Sequence, residues 1–139
     1  MTPIDAVVTA LNTIQSVTGK VYHMKALKNA SAPFVFWFQD SESERQSLDG
    51  YTGLKEDGYE IHIVTKNLND LNGISSAARA AIIALQGTTT NGFLYESIDI
   101  SQTSPVLNER EVGMYRKVYS LTIDYQETQT PENNENNGG

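Results

Sequence analysis

Cysteine is absent from the 139 residues, which excludes disulfides, thiolate zinc sites, iron–sulfur clusters and a cysteine nucleophile. The redox compartment stays open on that count. Positive charge is scarce: 10 Lys and Arg stand against 17 Asp and Glu, a formal net charge of −7. Sequence-independent nucleic-acid binding needs clustered positive charge to release counterions, and an anionic membrane surface asks for the same, so neither is expected. Long apolar runs are missing; none approaches the roughly 20 residues that span a bilayer. The opening Met-Thr-Pro-Ile-Asp has no basic n-region, so no secretory leader is expected.

The catalytic inventory is equally thin. His23 and His62 are the only histidines, and neither belongs to a metal-ligand spacing. There is no Gly-x-Ser-x-Gly elbow, no Gly-x-x-x-x-Gly-Lys and no Gly-x-Gly-x-x-Gly. Ser75 and Ser76 read as polar surface or local backbone partners at the start of a helix. His62 and Glu60 sit side by side on one strand face, which reads as solvated sheet. Asp40, Glu42 and Glu44, and the pair Glu56-Asp57, lie in a polar stretch with no sign of the burial that would make one a general acid. The expectation is a protein that is not an enzyme, with no cofactor and no metal.

What is present is enough apolar residue, 39%, to bury a core in one domain. Thr2 as N-cap, Pro3 in the first turn and Asp5 at the positive end start a helix whose stripe is Ile4, Val7, Leu11 and Ile14, with Gly19 to end it. Val21 to Met24 is a short strand and Lys25 to Ala32 a loop. Phe34 to Gln39 is a strong strand behind Pro33. Phe34, Phe36 and Phe38 point to one face, Val35 and Trp37 to the other, so both faces call for cover. Ser41 to Asp57 shows no period and reads as a long flexible loop. Gly58 to Thr65 alternates as a half-buried strand. Asn67 or Asn69 starts a second helix carrying Leu71, Ile74, Ala78, Ala81, Ile82 and Leu85, with Gly87 as its stop. Phe93 to Ser101 and Gly113 to Glu127 are two more strands, separated by a polar loop from Gln102 to Val112. In the last strand Tyr115, Tyr119, Leu121, Ile123 and Tyr125 share a face.

The order predicts α+β: a mixed or antiparallel sheet of about four to five strands, with two helices on one face, in a domain over 1–127. Residues 128–139 have no apolar member and read as a disordered polar tail. The doubly apolar strand leaves two readings of Trp37 open: it lies under the long loop of its own chain, or one sheet face or edge packs on another subunit. Candidates for such an interface are Trp37, Arg45, Tyr51, Leu54, Lys55 and Arg110, of types that interfaces favour or that lie on the polar stretches beside them.

An ordered set of segments carries a resemblance over about residues 3 to 126. It runs from the amphipathic first helix through Gly19-Lys20-Val21-Tyr22, Pro33-Phe34-Val35-Phe36 and a polar insertion. Tyr59-Glu60-Ile61-His62-Ile63-Val64-Thr65, Ser75-Ser76-Ala77-Ala78-Arg79 and Tyr119-Ser120-Leu121-Thr122-Ile123-Asp124-Tyr125 follow. In this order the chain resembles the tail terminator, or tail-to-head joining, proteins of phages with long non-contractile tails. The resemblance implies a non-catalytic virion subunit that closes the head-proximal end of the tail tube as a six-membered ring. Its implied partners are copies of itself, the tube protein and the head completion or connector protein; it implies no membrane and no sequence-specific nucleic acid. Its implied place is the virion, with assembly in the host cytoplasm. The alternatives are another small morphogenesis subunit, such as a head completion or tube protein, or a non-viral α+β module binding a peptide or ligand.

Overall fold

A computed structural model describes residues 2–24, 31–47, 50–109 and 112–128, with backbone alone for 44–47 and 50–53. Within them the order is helix α1 (Ile4–Asn12), strands β1 (Val21–His23), β2 (Phe34–Ser47) and β3 (Gly50–Thr65), helix α2 (Leu68–Ile83), then β4 (Thr89–Thr90), β5 (Phe93–Gln102), β6 (Leu107–Glu109) and β7 (Met114–Glu127). The seven strands form one sheet in the order β1-β2-β3-β7-β5-β4, with β6 also paired to β7. Only the β1–β2 pairing is parallel. The expected α+β class and mixed sheet are therefore present, but the strand count exceeds four to five. The additional strands, β4 and β6, have two and three residues, too short for alternation to reveal.

Register sets the two faces. Val35 pairs with Ile63 and Trp37 with Ile61; Ile61 pairs with Tyr119 and Tyr59 with Leu121; Ile100 pairs with Leu121 and Ile98 with Ile123. These side chains share one face and one buried cluster with Ile4, Val7 and Leu11 of α1 and Leu71, Ile74, Ala78 and Ile82 of α2. Both helices thus cover the same face, as their stripes require.

Local chemistry places the helix ends with two corrections. Asn67 caps α2 through its side chain, accepting from the Asp70 N–H at 2.7 Å. Thr2 does not cap α1: Pro3 holds the N-cap position without a side-chain bond, and the Asp5 carboxylate instead accepts from the Thr2 N–H at 2.8 Å. The first helix also stops at Asn12, and a short 3-10 turn over Gln15–Val17 completes the stripe by burying Val17. Asn12 Oδ1 accepts from the Gly19 N–H at 2.8 Å, and Gly19 takes φ +76°. Ser75 is not surface; it is buried in α2, where its Oγ has no partner among the described residues.

The largest departure is the stretch from Ser41 to Asp57. It is not a loop but the outer part of a β-hairpin, with β2 and β3 paired from Phe34↔Val64 out to Ser47↔Gly50. At about 3.3 Å per residue the 16 residues of β3 reach roughly 50 Å, whereas the 16 residues of α2 reach about 24 Å. The hairpin outruns the helices, and the sequence of its outer part carries no apolar alternation. Gly58 faces the register shift between Gln39 and Ser41, where a Cβ would collide with Ser41 Oγ and Asp40 Oδ1. That close approach is one reason glycine interrupts the strand there.

The two long edges of the sheet are treated differently. The outer side of β5 is sealed from within: Gln86 Oε1 accepts from the Ile98 N–H at 2.9 Å, and Arg79 donates to the Ile100 carbonyl at 2.8 Å. On the other side β1 covers only Val35 to Trp37 of β2. Past Trp37 no strand pairs the outer edge of β2 among the described residues. Asp40, Glu42 and Glu44 lie along that stretch, where charge opposes unwanted pairing.

Candidate functional site

Two clusters of polar and aromatic side chains stand out, one at the margin of the apolar core and one on the opposite sheet face. The first lies on the helix-bearing face, where the hairpin leaves the cover of α1. There Tyr59 Oη donates to Asp57 Oδ2 at 3.1 Å, and the Tyr125 phenol lies near enough to act on the same carboxyl. Asp57 is only 5% exposed. Burial raises its carboxyl above the usual aspartate range, and the two tyrosine donors partly oppose that rise. Burial and the adjoining Asp57 charge push both phenols well above the ordinary tyrosine value, so both stay donors. Trp37 meets Tyr59 edge to face at 6.0 Å, and His23, at the end of β1, stacks on Trp37 at 4.3 Å. These groups, with Glu42 and the Pro3 end of α1, line a cavity of about 320 Å³. Tyr95 anchors that helix end, donating to the Pro3 carbonyl at 2.7 Å; burial, then the Asp5 charge, pushes its phenol up to about 12.

The second cluster occupies the opposite face, which carries no helix. Phe34, Val64 and Val118 are buried there, outside the main core. His62, opposite Phe36 in register, stacks on it at 4.4 Å and contacts Glu60 at 2.7 Å. At 9% exposed, His62 is not on a solvated face, contrary to the sequence reading. The Arg116 guanidinium stands 5.7 Å from the centre of the Phe36 ring and donates to both Glu109 oxygens at 3.0 Å. That arrangement ties β6 across the end of the phenylalanine row and combines cation–π with charge-assisted bonding. The phenylalanine face is thus partly roofed by polar side chains of its own sheet.

The sequence-derived interface candidates divide accordingly. Trp37 is on the helix face rather than under a loop, because the long loop that was to cover it is a hairpin. Leu54 and Lys55 lie on the outer half of β3, where Lys55 reaches Glu127 at 3.0 Å. Arg45 and Tyr51 lie on the same hairpin, but their side chains fall outside the described residues, as do Arg110 and the expected tail from 129 onward. Thr128, expected in that tail, donates from its N–H to the Gly92 carbonyl at 2.8 Å. Asp57 was missed as a site residue. Its neighbours Glu56 and Gly58 suggest solvent, and only the pairing of β3 with β7 brings it beside Tyr125. Among the described residues no group of three or more His, Cys, Asp or Glu could hold a metal ion, and no helix is long and apolar enough to cross a membrane.

No protein-family model matches the sequence, and no curated protein matches it. Solved structures do share its fold. One is a chain from the virion of a native gene transfer agent particle, with a TM-score of 0.62 and 12% identity over 89% of this chain and 94% of that one. Another, described only by a sequence label, gives a TM-score of 0.51 and 11% identity over 95% of this chain and all of that one. The architecture is therefore one found in a chain of a gene transfer agent virion.

Proposed function

We propose that this chain is a structural virion protein, without catalytic activity, that closes the head-proximal end of a non-contractile phage tail tube. In this reading copies of the chain form a ring, six subunits by the family resemblance, that ends tube polymerisation and presents the tail side of the joint to the head connector. The observation that carries the reading is the fold shared with the gene transfer agent virion chain over nearly the full length of both. The hairpin supports it. A two-stranded arm that extends past its own helices has outer surfaces to offer to a neighbouring subunit; Arg45 and Tyr51 are on that arm, and Leu54 and Lys55 are at its base, where β3 still pairs with β7.

The alternatives within the virion are a head completion or a tube subunit, and the deciding experiment separates these. Electron microscopy of lysates from a phage lacking this gene, beside the wild type, should show headless tails of excessive length. Tails of normal length joined to filled heads would refute the capping role. Absence of tails altogether would point to a tube subunit, and normal free tails with unjoined heads to head completion. The non-viral module reading draws on a second, mostly apolar cavity of about 350 Å³ between α1 and the segment after α2, lined by Ala6, Ala10, Leu85, Thr90 and Asn91. A phage unaffected by loss of the gene would favour that reading.

A further inference from the structure

We propose that the cavity beside the α1 N-terminus is a binding site for an organic cation, the guanidinium or ammonium head of a basic side chain on a partner protein. The site stands on its own geometry and does not depend on the virion reading. Its floor is the Asp57 carboxyl, which accepts from Tyr59 at 3.1 Å with the Tyr125 phenol beside it. A carboxylate has about four acceptor positions, so the Tyr59 bond leaves capacity for a donor entering the cavity. Its wall is aromatic, with the Tyr59 ring edge to face against Trp37 and His23 stacked on Trp37. Aromatic faces attract guanidinium and ammonium groups, most strongly where water is excluded. Glu42 adds a second carboxylate at the exposed side.

The competing guests fit less well. An anion would meet two carboxylates. A neutral apolar group would cover Asp57 without relieving the cost of its burial. Among the described residues no lysine or arginine lines the cavity. Lys55, the cation that acts on Asp57 from nearby, is engaged with Glu127 at 3.0 Å. The positive end of α1 is already countered by Asp5, which accepts from the Thr2 N–H. A volume of about 320 Å³ suits one extended side chain rather than a large cofactor. The net charge of −7 draws basic partners toward the surface at long range.

The test is a titration of the full chain with acetyl-arginine amide, acetyl-citrulline amide as its neutral isostere, and a glycine-arginine-glycine peptide blocked at both ends. Binding is followed by fluorescence of Trp37, the single tryptophan, and by amide shifts. Acetyl-arginine amide should give saturable changes around Trp37, Tyr59 and Tyr125 at roughly millimolar concentration, with citrulline silent and the peptide binding at least as tightly. Asp57→Asn should weaken binding by about tenfold or more. If that variant does not fold, Glu42→Gln should weaken binding and Trp37→Phe should shift the amide response. Equal responses to arginine and citrulline, no saturable change, or changes centred elsewhere would overturn the site. Binding of the free amide with exclusion of the peptide would overturn its assignment to a protein side chain.

Discussion

The bond between Tyr59 and Asp57 can be weighed by a double-mutant cycle. Tyr59→Phe removes one donor, 3.1 Å from the carboxylate, and changes little else in shape. Hydrogen bonds to charged groups contribute about 1.5–3 kcal/mol, and neutral ones about 1 kcal/mol. The single variant should therefore lose about 2 kcal/mol, less if Tyr125 takes more of the load. In an Asp57→Asn background the same change should cost about 1 kcal/mol, which gives a coupling near 1 kcal/mol. Urea unfolding followed by Trp37 fluorescence and by circular dichroism reads both numbers, with the denaturant slope expected to stay constant. A loss below about 0.5 kcal/mol in both backgrounds at unchanged slope would refute the claim that this hydroxyl supports a buried charge.

The same carboxyl fixes a pH dependence. Its folded value lies above the unfolded one, so between the two the native chain holds more protons than the unfolded chain. Stability from this group is greatest at acid pH and falls as pH rises through that window, which opens near the ordinary aspartate value of about 3.9. Wild-type stability minus that of Asp57→Asn should decline across the window and level off above it. A difference that climbs with pH would mean the tyrosine donors outweigh burial.

Three further outcomes follow from other parts of the fold. Leu121→Ala, fully buried on the central strand β7, should cost about 3 kcal/mol in urea unfolding. Asn67→Ala removes the α2 cap and should cost about 1 kcal/mol by the same assay. Gln86→Ala unseals the β5 edge; the Ile98 amide should exchange with solvent about tenfold faster, while central β7 amides change far less.

Much of the scaffold was legible because burial imposes a period. Ile4, Val7 and Leu11, then Leu71, Ile74, Ala78 and Ile82, repeat at helical spacing because each helix lays one stripe on the sheet. Tyr119, Leu121, Ile123 and Tyr125 alternate because one face of β7 is covered. Asn67 was readable as a cap because its side chain acts on a backbone group three residues away. The outer hairpin was not legible, since residues 41–57 carry no apolar alternation from which a strand could be read. Of the two readings of Trp37, cover by a loop of its own chain failed with it, and packing on another subunit stays a proposal.

The candidate site was hidden for a related reason. His23, Trp37, Asp57 and Tyr125 are distant in sequence, and each has an ordinary local explanation. The sequence alone determined the absence of cysteine chemistry, the acidic balance, the two helices and the faces of the main strands, all properties of composition or short-range period. Tertiary structure alone decided that Asp57 is buried, that Tyr59 bonds it with Tyr125 nearby and that an aromatic wall stands beside it. Burial of a single carboxyl depends on which strands lie next to it, and strand neighbours are set by register across the whole sheet.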